Sequence, residues 1–315
     1  MQDPRMPNKA EVDEHEKTHL PFRSWCRHCV RGRGVSAPHK RQVEEIGMPE
    51  VHMDFIFMGD EAERKKWTIL VAKERGTKML MATVLPSKSS GDFAARRVLA
   101  FMRESGCAFG NITLKSDNEE AIKTVVSDVA KARAAGGAPG RINIENSKTG
   151  DSASNGVVER GNRSVEEMIR VLRSALEARM AVQVDGGHTV WPWLVEYAGF
   201  LLNRGDVGHD GKTAYERCKA KRGKMPGLEF GEKVLWRRKP VGNQLAKLTI
   251  LWEDGIYLGI KGASGEFIIG DKKGVWKTRT VRRRPEEDRW GAENLEMVGG
   301  VPWKPNGGEG GEEGG

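Results

Sequence analysis

Residues 51–58 (VHMDFIFM) are apolar with almost no polar interruption, the pattern of a strand covered on both faces. Two more apolar runs, 67–73 (WTILVAK) and 78–86 (KMLMATVLP), flank the turn ERGT and predict a second and third strand. At 89–106 the period changes. Phe93, Val98, Leu99, Phe101 and Met102 form a helical stripe, with Ser at its head to cap free amides and Gly at its end. A fourth strand comes next at 111–117 (NITLKSD), then a helix at 118–137 with acids in its first turn and a Gly stop. A short strand at 141–145 (RINIE), a long helix over roughly 154–182 and a helix at 191–204 complete this part. Three consecutive strands predict an antiparallel meander, and the later alternation predicts strands joined through helices. The fold class is therefore α/β, a mixed sheet flanked by helices. Trp191 and Trp193 read as helix-packing core residues. Beyond residue 228 short strands separated by Gly-containing turns predict a small β-barrel, with EDG at 253–255 as a hairpin turn.

These patterns divide the 315 residues into a His/Cys unit with a leading arm (1–34), a linker (35–50), the α/β core (51–205), a connector (206–227), the barrel (228–290) and a Gly/Glu tail expected to be disordered (291–315). Charge adds a partner class. The chain carries 52 Lys+Arg against 44 Asp+Glu, a net +8, and residues 217–290 alone hold 19 against 9. The basic excess thus sits in the C-terminal part, compatible with an anionic partner. Basic residues there interleave with Trp and β-branched residues, and Arg237, Arg238, Arg282, Arg283 and Arg284 are candidates for DNA-backbone contacts. No apolar run reaches the roughly 20 residues of a membrane span, and the N-terminus has no apolar signal-peptide core. Four cysteines in no disulfide pattern indicate a reducing, intracellular setting.

The segment HEKTHLPFRSWCRHC supplies His15, His19, Cys26 and Cys29. His at i and i+4 share a helix face, C-x2-C bites one ion through two thiolates, and Cys2His2 is a common closed zinc set. A unit this short buries little core, so a structural Zn²⁺ would supply its folding energy. His28 and His39 are possible substitute ligands. Three acids lie on elements rigid enough for a second kind of metal chemistry: Asp54 inside the first strand, Asp117 at the end of the fourth, and Glu159 in the first turns of the long helix. Clustered carboxylates hold the hard divalent ions that drive phosphoryl transfer on nucleic acids. Each acid also has an ordinary reading, as a salt bridge, a turn residue or a helix-dipole partner.

SDN at 116–118 and NGVVERGNRSVEEMIR at 155–170 resemble the integrase core of copia-type LTR retrotransposons. WPWLVEYAGFLLNR through GEKVLWR resembles the segment C-terminal to that core in such polyproteins. The resemblance covers roughly residues 13–285, and the run from Asn155 to Arg163 is its most specific part. It implies an RNase H-like core with a catalytic triad of Asp54, Asp117 and Glu159 holding two Mg²⁺ or Mn²⁺ ions. It also implies an N-terminal zinc module, an SH3-like terminal barrel, and DNA contacts from Asn155, Arg160 and Arg163. The implied function is a DNA-binding polynucleotidyl transferase that processes 3′ ends and joins element DNA to target DNA, as a homo-oligomer, in the nucleus. The alternative is a catalytically decayed, non-enzymatic DNA-binding remnant. The sequence departs from the family pattern in the 41 residues between Asp117 and Glu159, where AKARAAGGAPG reads as an insertion, and in Glu119, where Gly often stands.

Overall fold

The computed structural model describes residues 7–33, 47–59, 66–87, 91–146, 152–238 and 250–306. In chain order the elements are α1 (Lys9–Glu16), α2 (Arg27–Arg33), β1 (Glu50–Met58), β2 (Trp67–Glu74), β3 (Leu80–Leu85), α3 (Gly91–Glu104), β4 (Ile112–Ser116), α4 (Glu120–Ala135), β5 (Ile142–Asn146), α5 (Ser152–Met180), α6 (Val190–Gly205), α7 (Ala214–Lys219), β6 (Lys233–Arg237), β7 (Trp252–Ile260), β8 (Phe267–Asp271), β9 (Gly274–Thr278) and β10 (Val281–Arg283). The first sheet has the order β3-β2-β1-β4-β5. β1, β2 and β3 form the antiparallel meander, while β4 pairs parallel to β1 and β5 parallel to β4. This is the mixed sheet of the expected α/β class, flanked by helices. The serines expected to cap α3, most of the 35–50 linker and His39 lie outside the described residues.

Strand alternation sorts the apolar runs onto two faces. Val51, Met53 and Phe55 of β1 join Leu70 and Ala72 of β2 in one core, closed by Val98, Phe101 and Met102 of α3 and Ile122, Val125 and Val129 of α4. Ile56, Ile69 and Val71 face the opposite way, under Val158, Val165, Ile169 and Leu172 of α5 and Leu194, Ala198 and Leu201 of α6. Coverage on both faces is why these strands read as unbroken apolar runs.

The segment expected as an insertion is half helix, because α4 continues to Ala135. It also carries a structural device. Arg133, buried, donates to the carbonyls of Ala108 (3.0 Å), Gly110 (2.6 Å) and Pro139 (3.1 Å), tying the loop before β4 to the loop after α4. Gly140 closes against Gly110, where a Cβ would meet the Gly110 backbone at 2.2 Å.

The second sheet is antiparallel with the order β10-β6-β7-β8-β9. Residues 253–255 are not a hairpin turn: they lie within β7, Val234↔Gly255 and Leu235↔Asp254 being partners. Gly255 is there for space, since a Cβ would meet Ile269 at 2.4 Å and the Trp236 ring at 2.8 Å. The two sheets share one hydrophobic cluster. Tyr197 of α6 stacks on Phe230 (5.5 Å between ring centroids) and meets Tyr257 of β7 edge-on (5.7 Å).

The expectation of a disordered tail from 291 is corrected as far as Asn306. Residues 292–297 form a 3-10 helix that buries Leu295, and Val298 is buried beside it. Trp193 Nε1 donates to Gly300 O (2.8 Å) and Thr189 Oγ1 to Val298 O (2.5 Å). The indole N–H of a buried Trp needs a partner, and this strap supplies it. Residues 307–315 lie outside the described residues.

Glu232 is fully buried at the base of this sheet, and Arg283 meets it with Nε at 2.5 Å and Nη2 at 2.8 Å. Removing one member of a buried ion pair leaves an uncompensated charge. Arg289, at 3.7 Å, answers it only in part. Arg283→Ala is expected to lower unfolding stability by about 3 kcal/mol, read as a shift in the urea midpoint; an unchanged midpoint would show that Arg289 or water takes over.

Candidate functional site: an acid face and a His/Cys centre

Met53 of β1 pairs with Ser116 of β4, so the next residues, Asp54 inside β1 and Asp117 just past the end of β4, stand side by side on adjacent parallel strands. Strand alternation assigns Asp54 to the face of Ile56, and Asp117 to the same face, since Ile112 and Leu114 of β4 belong to the opposite one. That face is crossed by α5. Asn162 Nδ2 donates to Asp54 Oδ2 (2.8 Å), while Phe55 N–H donates to Oδ1 (2.8 Å). Asp117 Oδ1 accepts from Glu119 N–H (3.0 Å), in the turn that starts α4. Glu159 is exposed on α5, one turn before Asn162.

Burial raises the Asp54 carboxyl above its usual range, and the like charges of Asp117 and Glu119 push the same way, against the Phe55 and Asn162 hydrogen bonds. The three acids are not gathered into a tight ligand group. Among the described residues the group of three or more potential metal ligands within 4.8 Å of one another is His15, His19, Cys26 and Cys29.

Sequence reasoning missed Asn162, which fixes Asp54. Its signal was a polar residue inside the α5 stripe of Val158 and Val165, at i+4 and i−3. It also missed His52, buried two residues before Asp54 on the same face, with Nε2 3.1 Å from Glu50 Oε2. Burial lowers its imidazole, against the Glu50 hydrogen bond. Glu50 also binds Arg75 (3.1 Å) and Lys115 (3.2 Å).

All four His/Cys residues are buried. His19 Nδ1 lies 3.6 Å from Cys26 Sγ, and His15 Nε2 3.3 Å from Cys29 Sγ. His19 has φ +54°, a left-handed backbone that a non-glycine residue holds only under constraint. Hydrogen bonding from Cys29 draws the Cys26 thiol well below its usual range, and the Cys29 thiol is pushed up in return. His28 is not part of this group: its Nδ1 lies 2.6 Å from Ser174 Oγ of α5.

The predicted basic contacts divide. Asn155 is in the first turn of α5. Arg160 folds back, its Nε donating to Gly156 O (3.0 Å), and Arg163 is exposed. Arg237 is exposed, and Arg282 is exposed over the Trp252 ring (5.9 Å). Arg238 pairs with Glu253 (3.2 Å), Arg283 with Glu232, and Arg284 with Asp254 and Asp288, so these three charges are answered inside the protein.

No family model and no curated protein sequence matches the chain. Solved structures do. A chain of the simian T-cell lymphotropic virus intasome in complex with PP2A regulatory subunit B56 gamma aligns at TM-score 0.42 and 14% identity, over 82% of this chain and 87% of that one. The HTLV-2 integrase catalytic core domain in complex with magnesium aligns at 0.36 and 13% in its trimeric form, over 54% and 95%, and at 0.35 and 13% in its dimeric form, over 54% and 94%.

Proposed function

We propose that the chain is an integrase-like, metal-dependent polynucleotidyl transferase of the copia type. The observation that carries this reading is the side-by-side placement of Asp54 and Asp117 on the face crossed by α5, with Glu159 one turn from the asparagine that holds Asp54. A half-buried carboxyl whose ionisation is opposed by burial and by two neighbouring acids fits a divalent cation, which would offset both. Asp54, Asp117 and Glu159 would hold Mg²⁺ or Mn²⁺, which polarises phosphate oxygens and activates the attacking oxygen.

The chain's own residues position the reaction. Asn162 and the Phe55 N–H fix both oxygens of Asp54, and the Glu119 N–H fixes one of Asp117. Arg163, exposed one turn beyond Glu159, neutralises the phosphate brought to this face. Water first hydrolyses a phosphodiester near the end of element DNA, leaving a 3′ hydroxyl. That hydroxyl then displaces the 3′ oxygen of a target phosphodiester, with no bond to the protein. His15, His19, Cys26 and Cys29 would hold a structural Zn²⁺. DNA is the partner, in the nucleus and on a homo-oligomer. No helix among the described residues is long and apolar enough to cross a membrane.

The test is a strand-transfer assay with Mg²⁺ or Mn²⁺ on an oligonucleotide bearing a 3′ hydroxyl. Joined product that disappears in Asp117→Asn supports the reading; tight DNA binding without joining under either ion overturns it in favour of the non-catalytic remnant. Phosphate contacts make affinity salt-dependent, by about 0.9 log units per log of salt for each contact. Arg237→Ala with Arg282→Ala is therefore expected to flatten the slope by about two such contacts for every DNA sequence alike. An unchanged slope would remove the second sheet from the DNA interface.

A further inference from the structure

On the other flank of α5 a cavity of about 240 Å³ lies between the β2–β3 hairpin, the N-terminal half of α5, the end of α6 and the start of α7. Successive α5 residues turn by about 100°. Val158, Asn162 and Val165 therefore face the sheet, Glu159 and Arg163 fall on the β4 side, and Val157, Arg160 and Ser164 line this cavity on the β2 side.

Its polar wall is cationic. Lys73 comes from β2, Lys78 from the hairpin turn, Arg160 and Ser164 from α5, and Arg217 from α7. One carboxylate, Asp206, also lines it, and that acid lies 3.6 Å from Arg33. Arg217 is held by Asp210 through two contacts (2.6 and 2.9 Å), and Lys73, Lys78 and Arg160 add their charges to the same wall. Cations outnumber the lining carboxylate, and a cleft with such an excess between low-dielectric walls concentrates anions.

The walls are built rather than incidental. Asn203 of α6 clamps the hairpin through both Leu80 N–H (2.8 Å) and Leu80 O (2.7 Å). Gly161 lets Lys73 lie against α5, where a Cβ would meet the Lys73 side chain at 3.1 Å. Lys78 has φ +67°, a left-handed conformation that glycine or asparagine adopts more readily. A water molecule takes about 30 Å³, so the space admits a tetrahedral oxyanion with part of its hydration.

We propose that this cavity binds a phosphate group, at a site separate from the acid face. Lysine ammonium, guanidinium and hydroxyl donors around a small cavity suit phosphate oxygens. The phosphate belongs either to a nucleic-acid backbone or to a free phosphorylated molecule. Full-length protein in metal-free buffer separates the two, with inorganic pyrophosphate measured by calorimetry and a labelled DNA duplex measured by anisotropy across a salt series. In Lys78→Ala with Arg160→Ala, pyrophosphate affinity is expected to fall at least about tenfold. If the ligand is DNA backbone, the salt slope falls too, by about 0.9 per lost contact; if it is a free phosphate compound, the slope stays and only pyrophosphate binding is lost. Both probes unchanged, with the melting temperature preserved, would overturn the proposal. Should the double variant unfold, Lys78→Met alone is read in the same way. Asp117→Asn is expected to keep pyrophosphate binding while losing strand transfer, so failure of the enzymatic reading leaves this site standing.

Discussion

Purified Cys26→Ser protein is expected to bind no zinc and, with that, to lose the structure of residues 7–33. Tetrahedral bonds of about 2.0–2.3 Å place ligand atoms roughly 3.3–3.8 Å apart. The separations of 3.6 Å (Cys26–His19) and 3.3 Å (Cys29–His15) already meet that spacing. Little else holds the unit together. α1 buries one residue, His15, and the apolar burial of the unit is Leu20, Cys26 and Cys29. Structural zinc contributes on the order of 10 kcal/mol or more in such units. The loss should reach the core, because α2 docks on α5. A Cβ on Gly32 would meet Val171 at 2.4 Å, Leu20 lies against Gly205, and Arg33 reaches Glu167 (3.7 Å) and Asp206 (3.6 Å). The measurements are zinc content and proteolysis of the N-terminal segment, with and without chelator. Full zinc content in Cys26→Ser would sink the assignment of that ligand.

The second large effect is on joining. Asp54→Asn, Asp117→Asn and Glu159→Gln are each expected to reduce strand transfer by about three decades. A divalent ion contributes several kcal/mol of charge stabilisation, at 1.36 kcal/mol per decade. Stability should move the other way for Asp54. Its carboxyl is raised in the folded state, so it binds a proton more tightly there than in the unfolded chain. The associated stability is present at low pH and lost as pH rises through the raised value. In metal-free neutral buffer Asp54→Asn should therefore melt higher than the natural protein. Added Mg²⁺ should raise the melting temperature of the natural protein and leave that of the variant nearly unmoved. Equal Mg²⁺ responses would separate the ion from Asp54, whatever the assay of joining shows.

The elements of the α/β core were legible in the sequence because each is a local pattern. β1 was expected at 51–58 and runs Glu50–Met58; α6 was expected at 191–204 and runs Val190–Gly205. The His/Cys set was legible because C-x2-C is short-range geometry, but His15 and His19 do not share a helix face: α1 ends at Glu16, and His19 reaches the group through a left-handed turn (φ +54°) beyond it. Three things were decided by tertiary structure. Gly255 read as a turn because local pattern cannot distinguish a glycine that bends the chain from one that makes room for Trp236. The strap at 291–306 read as tail because its order comes from distant partners: Trp193 and Thr189 donate to its carbonyls, and its few apolar residues, Leu295 and Val298 among them, find a core only in the folded chain. The arginines of the second sheet looked alike in sequence, yet Arg283 and Arg284 face acids while Arg282 lies exposed over Trp252. Charge patterns along a chain count residues, whereas only packing determines which charges are answered from within. The same holds for the acid face: the sequence determined which carboxylates sit on strands and helix, and the parallel register of β1 with β4 decided that Asp54 and Asp117 stand together under α5.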